Sequence, residues 1–213
     1  MRKFIITVFS ICLTFVAFAQ TDPAAKAFLD KVSKKYDSYK TIQSDFNFSA
    51  QQAEGEAYTD QGKMALDKSK NRFNIQLSEQ DLISDGKTTW SILKNDKEVQ
   101  LTTADNTGES IGPNNLFTFY KKGFKYVSMP DERVGQETLK VVELSPLDTK
   151  KNYFKIKLRI NKNMHIHDVL IFDKSGARYT YTIKTLYVNQ SIPADKFTFS
   201  STIYKNYEMV DLR

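Results

Sequence analysis

The residues best suited to metal chemistry in this sequence are two histidines followed by two aspartates. His165 and His167 would share one face of a strand, because side chains alternate along it, and Asp168 and Asp173 come soon after. Imidazole and carboxylate groups bind zinc. Two histidines supply only two ligands, however, and the chain has no other histidine. The same alternation places Ile166 on the buried face. A solvated polar face is therefore the favoured interpretation, and no metal is predicted.

Carboxylates that could act as a general acid or base are numerous but scattered. Examples are Asp85, Glu98, Asp131, Glu132 and Asp168. None occurs in a motif that pairs two carboxylates or places one beside a nucleophile. No Gly-x-Ser-x-Gly elbow or phosphate-binding loop is present either. The sequence therefore predicts a protein that is not an enzyme and that needs no cofactor.

The stretch 82–90 organises the elements that would position any site. Its Asp85-Gly86 pair suits the positive φ angles of a type I′ turn, which joins two antiparallel strands. Apolar and polar residues alternate on both sides of this turn. The apolar ones are Phe73, Ile75 and Leu77 before the turn, and Trp90 and Ile92 after it. Strands with one apolar face each are typical of an antiparallel sheet.

Further alternation predicts strands through most of the chain. The clearest run places four apolar residues on a buried face and three cations opposite them. The apolar residues are Phe154, Ile156, Leu158 and Ile160, and the cations are Lys155, Lys157 and Arg159. A last short strand is predicted at Phe197 and Phe199, before a polar tail. The whole chain holds about eleven strand-like segments.

Two predicted helices interrupt this pattern. The first begins at Asp22-Pro23, a capping carboxylate followed by proline at the first helical position. The second is short, contains Leu116, Phe117 and Tyr120, and must lay these bulky side chains over something hydrophobic. The fold class is therefore predicted as mainly β with some α: an unclosed antiparallel β-barrel, or half-barrel, with helices covering its concave side.

The N-terminus has the composition of a secretory signal peptide. A basic start precedes an apolar run that ends at Phe18, and small residues suit cleavage after Ala19. Residues 1–19 are the predicted leader, the processed chain begins near Gln20, and residues 20–213 are predicted to form one domain. The apolar run is too short to be favoured as a membrane span. Export is therefore predicted.

Cysteine content and charge exclude several classes of protein. The only cysteine, Cys12, lies in the predicted leader, so disulfides and cysteine nucleophiles are not expected in the processed chain. Removing Arg2 and Lys3 from the formal charge of +6 leaves +4. This mild excess has no dense cluster, which argues against nucleic acid but allows weak attraction to anionic lipid headgroups. A monomer stabilised by its own core is predicted.

Apolar side chains of many strands would point the same way on a curled sheet. An open concave face would bind apolar ligands, whereas a filled one would be an ordinary core, and alternation predicts both equally well. The candidate binding residues are Phe46, Phe48, Met64, Leu66, Phe73, Ile75, Leu77, Trp90 and Ile92. The candidate lid consists of Leu116, Phe117 and Tyr120.

The order of these features resembles the outer-membrane lipoprotein carrier family, the LolA-like periplasmic chaperones. The most specific match is the Ser84-Asp85-Gly86-Lys87-Thr88-Thr89-Trp90 hairpin. Three weaker pieces follow the family's order. They are the Asp45-Phe46-x-Phe48 strand after an amphipathic helix, the Gly62-x-Met64-x-Leu66 strand, and the end Phe197-Thr198-Phe199 with Glu208-Met209-Val210-Asp211.

The resemblance implies a periplasmic half-barrel that holds the acyl chains of lipoproteins in transit from the inner to the outer membrane, without hydrolysis. It implies three partners: the lipoproteins, an inner-membrane ABC transporter that releases them, and an outer-membrane receptor. Family members have a cargo-handling arginine followed by proline after the Gly-x-Leu strand. This chain lacks the proline there, and Lys68, Lys70 and Arg72 are its basic candidates.

Two other functions stay open at this point. The same fold suits an envelope regulator that senses lipid or lipoprotein, although such regulators usually carry a second domain. The second alternative function is that of a hydrolase, but no candidate nucleophile stands out in the sequence.

Overall fold

The computed structural model describes residues 21–104 and 111–213. The predicted leader and its cleavage position lie outside the described residues. Helix α1 (Pro23–Asp37) begins where predicted, because the Asp22 carboxylate accepts a hydrogen bond of 2.8 Å from the Ala24 amide. Its buried side chains are Ala25, Leu29, Val32 and Tyr36. No helix within the two described ranges is long and apolar enough to cross a membrane.

Thirteen strands form one sheet. They are β1 (Thr41–Gln51), β2 (Ala57–Asp67), β3 (Arg72–Gln76), β4 (Gln80–Ser84), β5 (Thr88–Leu93), β6 (Glu98–Thr103), β7 (Phe124–Val134), β8 (Glu137–Pro146), β9 (Tyr153–Ile160), β10 (Ile166–Asp173), β11 (Arg178–Ile183), β12 (Tyr187–Val188) and β13 (Glu208–Asp211). Two 3-10 helices, Phe119–Lys121 and Ala194–Phe197, complete the described elements.

The sheet runs in the order β13-β6-β5-β4-β3-β2-β1-β11-β10-β9-β8-β7, and β12 pairs with β1. Its pairings are antiparallel except for that of β13 with β6, which is parallel. The edge strands β7 and β13 do not pair with each other, so the predicted unclosed, mainly antiparallel sheet is confirmed. Two of these strands, β7 and β13, are not indicated by the sequence pattern. The sequence also predicts two helices against the sheet, whereas one α-helix packs on it.

One face of the sheet packs against α1, and we call it the inner face; the opposite one is the outer face. Side chains from β1, β2 and β3 and from β7 to β10 meet α1 in a single buried cluster. Strands so far apart in the sheet can reach one helix only if the sheet curls around it. The inner face is therefore concave.

The centre of the inner face is filled. Phe46, Met64 and Ile75 are buried there together with side chains of α1. Gly62 pairs with Phe46 across β1 and β2 and leaves room for its ring, since a methyl group at residue 62 would overlap that ring and lie 2.9 Å from Leu77 Cδ2. The centre is thus a close-packed core rather than an open cavity.

The predicted lid helix does not form. Residues 113–118 are turns, and the 3-10 helix Phe119–Lys121 follows them. Leu116, Phe117 and Tyr120 are all buried, as their bulk predicts. Phe117 stacks on Tyr36 of α1 with 4.8 Å between ring centroids. The segment is therefore part of the closed core in this structure.

Trp90 and Ile92 lie on the outer face, so their predicted place on the concave face is wrong. Both pair with residues of β4 that face outward, Trp90 with Ile83 and Ile92 with Asp81. Both belong to a separate hydrophobic group on this face, which we call the outer cluster. Its members are Ile83, Trp90, Ile92, Val99, Leu101, Phe199, Tyr204 and Tyr207. The predicted strand at Phe197 and Phe199 is also wrong, since Phe197 ends a 3-10 helix.

The hairpin at 82–90 forms, but its turn is not type I′. Of the two central residues only Gly86 has a positive φ, +94°. The Asp85 carboxylate accepts hydrogen bonds of 2.8 Å from the amides of Lys87 and Thr88 and closes the turn instead. A Cβ atom on residue 86 would lie 2.6 Å from the Lys70 carbonyl oxygen. Glycine is therefore required here for its φ and for space.

Strand β9 follows the predicted alternation except near its beginning, at Phe154. Ile156, Leu158 and Ile160 are buried on the inner face, as predicted. Phe154 is 51% exposed, because the pairing of β9 with β10 shifts register between Phe172 and Asp173. Its predicted burial is wrong, and a large aromatic side chain is left on the surface.

Candidate functional site

Two adjoining cavities open at the end of the inner face where the β8–β9 and β10–β11 turns lie. Their volumes are about 480 and about 330 Å³, and they share Ile111, Lys151 and Tyr153. We call them together the mouth cleft. Its apolar and aromatic lining residues are Phe48, Ile111, Phe119, Phe124, Leu147, Tyr153, Ile171, Tyr179 and Tyr181. Space of this size and lining is typical of sites for small apolar ligands.

The aromatic wall of the mouth cleft is built by strand pairing. Phe48 on β1 lies opposite Tyr181 on β11, and Ala50 lies opposite Tyr179, so both tyrosines face inward with Phe48. The Phe48 ring is 4.9 Å from that of Tyr181 and 6.4 Å from that of Tyr179, centroid to centroid. Burial raises the pKa of Tyr181 to about 12. The Tyr181 hydroxyl therefore stays uncharged at neutral pH.

The rim of the mouth cleft is charged. Lys122, Lys150 and Lys151 line its edge, together with Asp148 and Asp173. Hydrogen bonds from Ser175 lower the pKa of Asp173, so this carboxylate is ionised. An apolar ligand with a polar end could place its chain against the aromatic wall and its polar end among these charges.

A third cavity, of about 290 Å³, lies on the other side of Phe48. Tyr58, Leu77 and Leu93 line it together with the carboxylates of Asp60, Glu79 and Asp96. Burial alone would raise the pKa of Asp60, but hydrogen bonds from the Ser78 side chain and amide and from the Gln61 amide outweigh it and lower the pKa. Phe48 thus separates an aromatic space from an acidic one.

The structure brings only some of the predicted binding residues to open space. Phe48 lines the mouth cleft and the third cavity, and Leu77 lines the third cavity. Four others, Phe46, Met64, Leu66 and Ile75, are buried. Of these, Met64 borders a cavity of about 220 Å³, and Leu66 borders, with Phe73, a small one of about 50 Å³ at the opposite end of the inner face.

The predicted basic residues lie away from the mouth cleft. Lys68 donates a hydrogen bond to the Tyr36 carbonyl at the end of α1. Arg72 makes a 2.5 Å ion pair with Asp67, and its guanidinium lies 4.7 Å from the centroid of the Phe197 ring. Lys70 is exposed in the β2–β3 turn. Lys68 and Arg72 therefore have structural partners, and a cargo-handling role for any of the three stays a prediction.

The histidines also have partners other than a metal. His165 Nε2 is 2.8 Å from the Tyr39 hydroxyl, and His167 Nδ1 is 2.6 Å from Asp168 Oδ2. Asp168 in turn accepts a 2.7 Å hydrogen bond from Arg159. In the part of the chain that the structure describes, no three His, Cys, Asp or Glu side chains converge as a metal site would require.

Sequence reasoning missed most of the cleft-lining residues. Tyr179 and Tyr181 alternate in β11, which marks them as sharing a face. Their pairing with Phe48 joins residues more than a hundred positions apart, and no local pattern reveals it. Ile111 reaches the cleft from a segment without regular structure, and Phe119 begins a 3-10 helix of three residues. Neither segment is long enough to show a periodicity.

The sequence of this chain matches the profile of one protein family. The sequence profile described as "Outer membrane lipoprotein carrier protein LolA" matches residues 37–200. No match was found among functionally curated proteins.

Several solved structures have a similar fold. An uncharacterised conserved protein from Thermus thermophilus matches with a TM-score of 0.59 at 10% identity, over 88% of this chain and 99% of that one. LprF from Mycobacterium bovis matches with a TM-score of 0.50 at 9% identity, over 82% and 98%. A LolA superfamily protein from Nitrosomonas europaea matches with a TM-score of 0.44 at 13% identity, over 82% and 97%. At such identities the likeness concerns the fold alone.

Proposed function

The chain belongs to the LolA family of outer membrane lipoprotein carriers, and from that premise we propose that it is a periplasmic carrier that binds the acyl chains of lipoproteins in the mouth cleft. It shuttles them from the inner to the outer membrane. The partners that this role requires are an inner-membrane ABC transporter that releases lipoproteins and an outer-membrane receptor that accepts them. The carrier itself acts by binding and not by catalysis.

The observation that carries the proposal is the mouth cleft. It combines an aromatic wall at Phe48, Tyr179 and Tyr181 with lysines at the rim. Apolar contact supplies affinity for an acyl chain, roughly 0.8 kcal/mol per buried methylene group. The filled centre supports uptake at the mouth rather than beneath α1, because Ile75 and Phe46 are fully buried in the core that packs against α1.

The experiment is native mass spectrometry of the protein taken gently from its own periplasm, with two variants in one strand. Tyr179→Asn removes an aromatic ring from the cleft, and Thr180→Asn changes the next residue, which faces outward. We expect a copurifying lipid or lipoprotein adduct with the parent and with Thr180→Asn. Tyr179→Asn should weaken binding of a fluorescent fatty acid about tenfold, since the ring contributes on the order of 1.5 kcal/mol.

Two results would contradict the proposal, the first its carrier function and the second its binding site. One is a parent protein with no acylated adduct and no affinity for the fatty acid. The other is equal binding by the two variants, which would remove the mouth cleft as the site. Thermal unfolding of both variants shows whether any loss reflects binding or folding.

A further inference from the structure

One lip of the mouth cleft carries a local excess of positive charge. We define the basic lip as residues 147–155 and 172–178, which contain the β8–β9 and β10–β11 turns. These two stretches hold five cations against two carboxylates, and one further carboxylate, that of Glu143 on β8, lies 3.4 Å from Lys155 Nζ. The cations are Lys150, Lys151, Lys155, Lys174 and Arg178, and the carboxylates are Asp148 and Asp173.

The two turns of the basic lip are tied into one surface. The Lys174 amide donates a 2.7 Å hydrogen bond to the Asn152 carbonyl, and Lys174 Nζ donates one of 2.6 Å to the Thr149 carbonyl. Asp148 and Asp173 accept hydrogen bonds from backbone amides within their own turns. These hydrogen bonds join the two turns into one continuous surface, and both carboxylates help to hold the turns.

Large apolar side chains stand among these cations. Leu147 is 58% exposed and Phe154 is 51% exposed. Lys155 Nζ lies 4.5 Å from the centroid of the Phe172 ring, and the Arg178 guanidinium lies 5.7 Å from it. An exposed leucine and an exposed phenylalanine flanked by lysines are the combination that inserts shallowly at a lipid headgroup layer.

The neighbouring β1–β2 connection has the opposite charge. It comprises residues 52–56 and contains Glu54 and Glu56 and no cation. It lies against the β10–β11 turn, since a Cβ atom on Gly176 would be 2.9 Å from Ala53 Cβ. An anionic surface would attract the basic lip and repel this connection, which favours approach with the basic lip foremost.

We propose that the basic lip docks the mouth cleft onto the surface of an anionic phospholipid bilayer. Its cations meet lipid phosphates, and Leu147 and Phe154 enter the interface. The inference rests on the proposed carrier function, because cargo with acyl chains is collected at a membrane. Docking in this orientation places the aromatic wall next to the lipid from which an acyl chain is withdrawn.

The test is co-sedimentation of the processed protein with vesicles. Vesicles of phosphatidylcholine mixed with phosphatidylglycerol should bind the protein, and pure phosphatidylcholine vesicles should not. Binding should be lost at about 1 M salt, where the screening length falls to about 3 Å. Arg178→Glu should weaken binding at least fivefold, the effect of about one charge near an anionic surface. Phe154→Ser should weaken it several-fold.

Matched controls separate the lip from general charge and apolarity. Lys162→Glu makes the same charge change in the turn at the other end of β9, and Ile203→Ser removes an apolar side chain that is 73% exposed on another surface. Neither should alter vesicle binding. Equal binding to neutral vesicles, no binding to either kind, or an equal effect of Lys162→Glu and Arg178→Glu would overturn the proposal.

A second assay distinguishes failure of docking from failure of the carrier function. A fluorescent fatty acid is offered in solution without vesicles. Arg178→Glu and Phe154→Ser, which change residues of the basic lip that do not line the mouth cleft, should bind it like the parent. Tyr179→Asn should lose fatty acid affinity and keep vesicle binding. A parent that binds the fatty acid but no vesicle overturns docking alone; one that binds vesicles but no fatty acid overturns the carrier function alone.

Discussion

His165 joins the start of β10 to the end of α1 through its contact with the Tyr39 hydroxyl. Burial, and secondarily the charge of Lys35, lower the pKa of His165 below 6.5. The unfolded chain, with an ordinary histidine pKa of about 6.5, therefore takes up this proton more readily than the folded protein. Folding stability should fall as the pH drops from about 6.5 towards the lowered pKa.

Urea unfolding at pH 7 and at pH 5 measures this loss for the parent and for His165→Gln. Glutamine keeps a hydrogen-bonding group near Tyr39 but does not titrate. We expect the parent to lose more stability than the variant over this interval. Asp60 and Asp67, whose pKa values lie below 3.8, stay ionised throughout it. An equal loss in both proteins would mean that other groups cause the pH dependence.

At the scale of elements, the C-terminal segment acts as the cover of the outer cluster. Phe199 stacks on Trp90 with 5.6 Å between ring centroids, and Tyr204 stacks on Phe199 at 5.4 Å. The parallel pairing of β13 with β6 holds the end of this segment in place. Phe199→Ala should therefore destabilise the protein and expose Trp90.

The expected cost of Phe199→Ala is about 2 kcal/mol, below the 3–5 kcal/mol of a fully buried phenylalanine because Phe199 is half-buried. Trp90 is the only tryptophan, so a red shift of its emission reports loss of the cover directly. Ile203→Ala, in the same segment but 73% exposed, should change stability by less than about 0.5 kcal/mol. Unchanged emission from Phe199→Ala would show that the stack does not shield Trp90.

The outer cluster also shows what sequence patterns can and cannot predict. Alternation correctly indicates that Trp90 and Ile92 share a face, but it does not say which face. Here the apolar side of β5 turns outward, because a segment more than a hundred residues later in the chain covers it. Sequence patterns also do not show whether the concave face is filled or open. That depends on how α1 and residues 111–121 pack on the sheet, which is again a contact between distant parts of the chain.

At the scale of the whole molecule, the half-barrel is closed at its centre and open at its mouth. Ile75 and Leu77 test this division because they are neighbours on one face of the same β-hairpin. Ile75 has no exposed surface, while Leu77 is half-buried beside the third cavity. An asparagine at either position brings the same polar amide, but only at residue 75 is that amide shut away from water.

Ile75→Asn should cost about 3–5 kcal/mol, the sum of lost apolar packing and an unsatisfied buried amide. That is a large part of the total stability of roughly 5–15 kcal/mol of a typical domain. Leu77→Asn should cost about 1 kcal/mol, because water in the cavity can pair with its amide. Urea unfolding of the two variants measures both costs. Similar small costs at both positions would mean that water reaches the centre of the half-barrel, and that an acyl chain could reach it too.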